Sequence, residues 1–453
     1  MKHGYENRQI VVVGAGRSGR ALSRYFCSRG AQVVLSDRRR REQIDTLDES
    51  GLDGVRFDLG GHDSELLKAA DLVVISPGVP SDLPVLQQAR AAGVPVVGEV
   101  EIAWRDLDAP LVGITGTNGK STTTALCGEM FRRAGCRTFV GGNLGTPLIE
   151  AVAGDDWQYL VVELSSFQLE TIADFRPRYG MLLNLSADHL DRYADMDAYL
   201  RAKLRLFENQ RSEDVAILNA DDPLVREIAA DLPGRRVLFS SERRLSEGIC
   251  REGKEIVWRW QGGEQRFAIN QLRLRGDHNL ENVMAALLPP LLEGCDPQLI
   301  WQAACEFSGL PHRMQQVRML GGVDWINDSK GTNVGSVLKS LAGLDAPVTL
   351  IAGGRDKGGD FRQLASLVRE KVGHLLLIGE AAARIAEELE GCSEIELCPG
   401  LDVAVDRARA VTAEGGTVLL SPGCSSFDMF ADFEQRGDCF IRLVNALTEN
   451  EEP

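Results

Sequence analysis

Short apolar runs that stop at glycine, asparagine or a charged residue recur along the chain, and they set its predicted architecture. Ile10 to Val13, Gln32 to Ser36, Leu72 to Ile75 and Val94 to Val97 read as buried strands, with a helix from Arg20 to Ser28 behind the first. Leu111 to Ile114, Leu160 to Glu163 and Met181 to Leu185 repeat the theme. Val323 to Asn327, Val348 to Ala352, His374 to Ile378 and Thr417 to Ser421 repeat it again. Strands of this kind alternating with helical segments predict parallel sheets covered on both faces. From Met196 to Phe207 the period becomes helical, with Met196, Tyr199, Leu200, Leu204 and Phe207 as the apolar stripe and Lys203 inside it. Arg235 to Asn270 alternates polar and apolar positions between charged turns and predicts a peripheral β insertion. A chain of 453 residues exceeds one core. Breaks near Gly98 and around Pro311 predict an α/β fold of three domains, 1–98, 99–309 and 310–453.

The strongest chemical signal is Gly116-Thr117-Asn118-Gly119-Lys120-Ser121-Thr122, between a buried strand and a helix. Such a turn aims backbone N–H groups and a helix N-terminus at an anion, and Lys120 adds a point cation. Ser121 or Thr122 is placed to ligate the Mg²⁺ that accompanies a nucleoside triphosphate. The loop departs from the usual pattern, because Ile114 stands where its first glycine belongs. Glu163 ends a strand and suits a second Mg²⁺ ligand, or is an exposed strand terminus. Gly14-Ala-Gly16-Arg-Ser18-Gly19, followed by Asp37, matches a dinucleotide fingerprint. Arg38 to Arg41 either meet phosphates or form a solvated charge run. His189 follows a strand among acids and reads as functional. Lys203 either snorkels to water, the favoured reading, or is used with an altered charge. Three strand ends in the last third carry glycines beside charged and hydroxyl residues: Asn327 to Lys330, Gly353 to Asp360 and Ser421 to Asp428.

Composition narrows the class. A net charge of −16 excludes a general nucleic-acid surface, while leaving room for a local basic pocket. Ten scattered cysteines without metal spacing, and a polar start at Met1 to Gln9, predict a cytoplasmic protein with reduced thiols and no membrane insertion.

Taken together the motifs resemble the Mur ligases. The likeness covers essentially the whole chain and rests on residues 116–122, Gly-Gly-Asn-Leu-Gly (141–145), Glu-Leu-Ser-Ser-Phe-Gln-Leu-Glu (163–170) and Asp-His-Leu-Asp-Arg-Tyr (188–193). Ala-Lys-Leu-Arg (202–205), Leu-Pro-His-Arg (310–313), Asn-Asp-Ser-Lys (327–330), Gly-Gly-Arg-Asp-Lys (353–357) and Ser-Pro-Gly-Cys-Ser-Ser-Phe-Asp (421–428) extend it. The resemblance implies a Rossmann-like N-terminal domain for UDP, a central P-loop-type ATPase domain and a C-terminal Rossmann-like α/β domain. It implies an ATP-dependent ligase of cytoplasmic peptidoglycan precursor synthesis, on which cell shape and division depend. The reaction would add D-glutamate to UDP-N-acetylmuramoyl-L-alanine through an acyl phosphate, in a monomer that binds no nucleic acid.

By the same resemblance Lys120 binds the ATP phosphates, and Ser121 and Glu163 serve a first Mg²⁺. His189 and a carbamylated Lys203 serve a second. Asn279, Asn282, Arg313 and Asp328 resemble nucleotide contacts. Ser18, Asp37, Arg38, Arg39 and Gly78 would hold UDP, and Asn143 and Ser165 the muramoyl-alanine. Some relatives carry a hydroxylic residue in place of Arg38, and Asp-Gly in place of Arg355-Asp356. For glutamate, a cation and hydroxyls suit two carboxylates, so Lys357, Thr332, Ser426 and Phe427 are the expected pocket, with Phe433 over the methylenes. The rival readings are a folylpolyglutamate-synthetase type of ligase, an NAD-dependent oxidoreductase and a non-catalytic nucleotide-binding regulator.

Overall fold

The computed structural model describes residues 4–44, 52–143, 145–154, 156–186, 192–228, 232–274, 276–356 and 358–448. Contacts group the chain into two compact units. One is Met1–Leu185 with Asp197–Asn270 and Asn282–Ala304; the other is Ser186–Met196 with Gln271–Glu281 and Cys305–Pro453.

The first unit holds two sheets. β1 (Gln9–Val13), β2 (Gln32–Asp37), β3 (Arg56–Leu59), β4 (Leu72–Ile75) and β5 (Val96–Gly98) form a parallel sheet in the order β3-β2-β1-β4-β5. The order reverses beside β1, which opens a crevice at the carboxyl ends of the strands. The helix Arg17–Ser28 starts earlier than its apolar pattern suggested, because its first turn is polar and lies at that crevice.

The second sheet comprises β6 (Leu111–Thr115), β7 (Thr138–Gly142), β8 (Tyr159–Glu163), β9 (Tyr179–Leu182), β10 (Val215–Asn219) and β11 (Arg235–Ser240). It continues through β12 (Gly248–Glu252), β13 (Glu255–Trp260) and β14 (Gly263–Ala268), in the order β14-β13-β12-β11-β10-β9-β6-β8-β7. β6 is buried along its whole length between β8 and β9, as an unbroken apolar strand requires. The expected peripheral β segment forms the outer end of this sheet: β11 pairs parallel with β10 and β12 parallel with β11, and β13 and β14 follow as antiparallel strands. Glu99–Asp106, between the two sheets, is a helix. Its buried Glu101 accepts hydrogen bonds from the N–H groups of Ala173, Asp174 and Phe175.

The second unit contains β15 (Gln315–Leu320), β16 (Val323–Asn327), β17 (Val348–Gly353), β18 (Val372–Ile378), β19 (Glu394–Leu397) and β20 (Thr417–Leu420), ordered β15-β16-β20-β17-β18-β19. β15 is antiparallel to β16 and both edge strands are half exposed. Their mixed polar sequences explain why the apolar pattern missed them. Among the described residues no helix is long and apolar enough to cross a membrane.

Candidate active site

The centre of the first unit is the turn after β6. Gly116 has φ +151° and Gly119 φ +85°, and Gly119 is the left-handed cap that starts the helix Lys120–Arg133. A Cβ on Gly119 would come within 2.1 Å of Asn282 Oδ1, so glycine is required for space as well as for backbone. Asn184, which sequence reasoning passed over, fixes the turn. Its backbone oxygen accepts from Thr117 N at 3.0 Å, its Oδ1 from Asn118 N at 2.8 Å, and its Nδ2 donates to Asn118 O at 3.1 Å.

Two lysines meet on this turn. Lys120 Nζ donates to Gly116 O at 2.9 Å and Thr117 O at 2.8 Å. Lys203 Nζ also donates to Gly116 O, at 2.9 Å, and lies 4.5 Å from the centre of the Tyr199 ring. Lys203 is 1% exposed, so the snorkelling reading is corrected: the amine turns inward onto the turn. The helix carrying it is α-helical only over Met196–Leu204, and Arg205–Phe207 is a tighter turn. Two ammonium groups on one carbonyl repel each other, and an anion placed between them relieves that repulsion.

Glu163 ends β8 in register with Ile114, at the mouth of the turn, and is 2% exposed. Its Oε1 accepts from Asn143 Nδ2 at 2.6 Å, and its backbone oxygen accepts from Asn143 N at 2.9 Å. Ser121, Thr122 and Asn282 are buried beside the turn or in the helices that border it, and Thr123 Oγ1 donates to Asn282 Oδ1 at 3.4 Å. The glycine cradle, the amines, a helix-start hydroxyl and a buried carboxylate fit a nucleoside triphosphate with a hard cation. The phosphates would have to complete the oxygen ligands of that cation.

A cavity of about 740 Å³ opens at the end of the first sheet. It brings together Ser18, Asp37, Arg38, Arg39 and Gly78 with Asn143 from the second sheet. Asp37 is 5% exposed and accepts from Ala15 N at 2.8 Å, Arg39 N at 2.9 Å and the Arg39 guanidinium at 3.0 and 2.9 Å. Burial works against its charge, but these hydrogen bonds outweigh it and hold the carboxyl at a pKa of about 2. Asp37 therefore braces Arg39 and the β1 turn. Gln168 and His62 also line the cavity and were not expected there. Ser165 caps the short helix Ser166–Leu169, its hydroxyl accepting from Gln168 N at 3.2 Å.

In the second unit Asp328 is buried, its Oδ2 accepting from Ser340 and Ser421, each at 2.8 Å. Burial raises its pKa, and Arg313 is among the charges that act against this rise. Arg313 and Lys339 also act on His278, beside the buried Asn279. Desolvation first, then these two cations, take its pKa down to about 4. Arg436, fully buried and unforeseen, donates to Ser329 O at 2.8 Å and to Cys424 O at 3.2 Å, tying together two of the expected strand-end turns. Ser426 is buried, Thr332 is half-buried and Phe427 is 62% exposed. Phe433 is half-buried with Lys330 Nζ 4.8 Å from its ring centre. His189 and Lys357 lie outside the described residues.

Comparison with known proteins matches three consecutive stretches of the chain. Residues 8–98 match the Mur ligase MurD-like N-terminal domain, 114–289 the Mur ligase middle domain and 312–424 the Mur ligase glutamate ligase domain. A UDP-N-acetylmuramoylalanine–D-glutamate ligase of Syntrophotalea carbinolica is 59% identical, over 98% of this chain and 99% of that protein. One of the same name from Geotalea uraniireducens is 51% identical over 98% of each. Among solved structures, UDP-N-acetylmuramate-alanine ligase MurC of Thermotoga maritima superimposes with a TM-score of 0.61 at 19% identity, over 97% of this chain and all of that one. MurF ligase of Thermotoga maritima in complex with ADP gives 0.59 at 14% identity, over 98% and 97%. At those identities the structures speak for the fold alone, whereas the near-complete match at 59% identity reaches further: the chain belongs to the Mur ligase family.

Proposed function

We propose that this chain is an ATP-dependent, ADP-forming ligase that joins D-glutamate to UDP-N-acetylmuramoyl-L-alanine in cytoplasmic peptidoglycan precursor synthesis. The observation that carries the reading is Asn143. It lines the cavity at the end of the first sheet and is bonded twice to Glu163, beside the phosphate turn. A nucleotide-linked substrate lying in that cavity would thus lead its far end toward the triphosphate site. The names of the relatives supply the two substrates. The boundaries 1–98, 99–309 and 310–453 are kept as proposed domains.

The chemical demand is to bring a carboxylate to a triphosphate, then an amine to the activated carboxyl. Lys120 offsets phosphate charge, and the helix start beneath it orients the transferred group. Ser121 and Glu163, with His189 and Lys203, would hold Mg²⁺, which supplies charge neutralisation as the phosphoryl group moves. A carbamylated Lys203 fits its burial. The ammonium first gives a proton to water, the neutral amine adds to carbon dioxide and gives up a second proton, and the resulting carbamate anion replaces one of two adjacent positive charges. Asn279, Asn282, Arg313 and Asp328 would bind or brace the nucleotide. Lys357, Thr332, Ser426 and Phe427 would receive the glutamate carboxylates. Phe433, packed under Lys330, would border them.

The test is phosphate release from ATP with UDP-N-acetylmuramoyl-L-alanine and each glutamate enantiomer. Release with D-glutamate alone is expected. No release with either, or a preference for L-glutamate, overturns the assignment.

A further inference from the structure

Two helices that border the phosphate turn meet again at their far ends. Lys120–Arg133 starts at the turn and runs for 14 residues, about 20 Å. It ends at Gly135, φ +88°, after which Cys136 N donates back to Phe131 O at 3.0 Å. Asp277–Leu292 carries Asn282, which sits against Gly119 and Thr123. It ends at Gly294, φ +76°, after which Cys295 N donates back to Pro290 O at 2.9 Å. Both ends follow the same left-handed glycine pattern, and both place a cysteine directly behind the glycine.

Aromatic groups hold the two ends together. Tyr159, the first residue of β8, stacks on Phe131 with ring centres 4.1 Å apart and donates to Glu293 Oε2 at 2.9 Å. Tyr179, the first residue of β9, donates to the other oxygen of that carboxylate. Here the Cys295 thiol is hydrogen-bonded to the Cys136 thiol. Both residues are half-buried, and neither is in a disulfide. Burial first, then Cys136 and Glu293, push the Cys295 thiol up to about 11, so it is protonated at neutral pH. Cys127, fully buried on the first helix, is close enough to act on Cys295 as well.

We infer that Cys136 and Cys295 are a modification site, where hydrogen peroxide turns touching thiols into a reversible disulfide that pins the two helices at the ends remote from the phosphate turn. Two thiols and one peroxide give one disulfide and two waters. Cys136, as thiolate, attacks a peroxide oxygen; the O–O bond breaks, hydroxide leaves and is protonated to water, and a sulfenic acid remains. The Cys295 sulfur then displaces the hydroxyl group, which departs as water with the Cys295 proton. The sulfurs lose two electrons and the peroxide oxygens gain them. Contact between the thiols offsets the weak acidity of Cys295 and lets the bond form before a second peroxide makes sulfinic acid. In a reducing compartment the link is transient, formed under peroxide and undone by thiols.

The experiment treats the full chain with a small excess of hydrogen peroxide, blocks the remaining thiols and maps its peptides without reductant. One peptide pair joined through Cys136 and Cys295 is expected, lighter by two hydrogens than its separate halves and released by dithiothreitol. Cys136→Ser and Cys295→Ser should each abolish it, and Cys127→Ser should retain it. Oxidation should slow amide hydrogen exchange at both helix ends at least about threefold in wild type, and in neither of the first two variants. ATP affinity should stay within about twofold of the reduced chain, since the link lies about 20 Å from Lys120. Sulfinic acid in place of the link, a link from Cys295 to Cys127, or unchanged exchange in the linked chain overturns the inference. A larger loss of ATP affinity overturns the placement of the pin away from the phosphate turn.

Discussion

Two turns in the first unit share one plan and differ in what they carry. Each takes a buried strand through glycines into a helix: β1 through Gly14 and Gly16 into Arg17–Ser28, and β6 through Gly116 and Gly119 into Lys120–Arg133. In the first, glycine serves close packing, since a Cβ on Gly19 would lie 1.8 Å from Gly14 O. Its cations stand apart, with Arg38 and Arg39 on the end of the neighbouring strand. In the second, the cations fold onto the turn itself, with Lys120 and Lys203 on the same carbonyl. A site that only holds a diphosphate can recruit charge from its rim. A site where charge moves during the reaction needs the cation at the moving group.

The largest effect should come from the loop cation. Lys120→Ala is expected to cut turnover at least about a thousandfold, about 4 kcal/mol of barrier, with affinity for the UDP substrate little changed. Steady-state kinetics beside calorimetry decides it, and a parallel loss of UDP affinity would erase the contrast between the turns. Lys203→Ala should lose nearly as much, on the order of a hundredfold or more. Short carboxylic acids should restore part of the activity if a carbamate is what the site uses. Failure of every acid tried, with an unmodified amine by mass spectrometry under native conditions, counts against the carbamate.

Gly19→Ala should act on the other turn and leave the loop alone. Overpacking against Gly14 O is expected to cost about 1–3 kcal/mol of stability and to weaken UDP binding while ATP binding persists. An equal loss of both ligands would mean that the turns are not separable.

The smallest effect concerns the join between the two sheets. Glu99 is buried at the start of the joining helix and accepts from Ile149 N at 2.7 Å. Burial pushes its pKa up to about 7 from 4.5. A carboxyl raised in the folded state contributes stability that is complete below its unfolded pKa. That contribution is lost as pH rises through the folded value. Ionising Glu99 should therefore cost stability between about pH 4.5 and 7, at most about 3 kcal/mol. Glu99→Gln should flatten the slope over that window in denaturant titrations at several pH values. An unchanged slope would assign the pH dependence elsewhere.

What the sequence disclosed follows from how the physics is written into it. Strands buried on both faces, such as β1, β6 and β20, appear as unbroken apolar runs, and the phosphate turn announces itself through spacing. The edge strands β3, β15 and β19 are half exposed and carry mixed residues, so periodicity passed over them. Lys203 misled because a lysine in an apolar stripe usually reaches water, and its carbonyl partner lies 87 positions away. Asn184, Arg436 and the Cys136–Cys295 pair were illegible for the same reason. Their meaning depends on partners that only the fold brings near.

The outer hairpin of the second sheet carries one more consequence. Its edge strand β14 is exposed over Gly263 to Arg266, and charges cross it in a ladder. Arg259 pairs with Glu252 and Glu264, and Arg266 with Glu255 and Glu264, at 2.7 to 2.9 Å. These pairs add little to folding at a solvated surface. What they do is stop the sheet from growing. A strand from another chain that sought the free backbone edge of β14 would have to lie against a lattice of paired guanidinium and carboxylate groups and strip their water. In a crowded cell, where newly made chains meet before they are fully folded, that edge is an anti-aggregation seam.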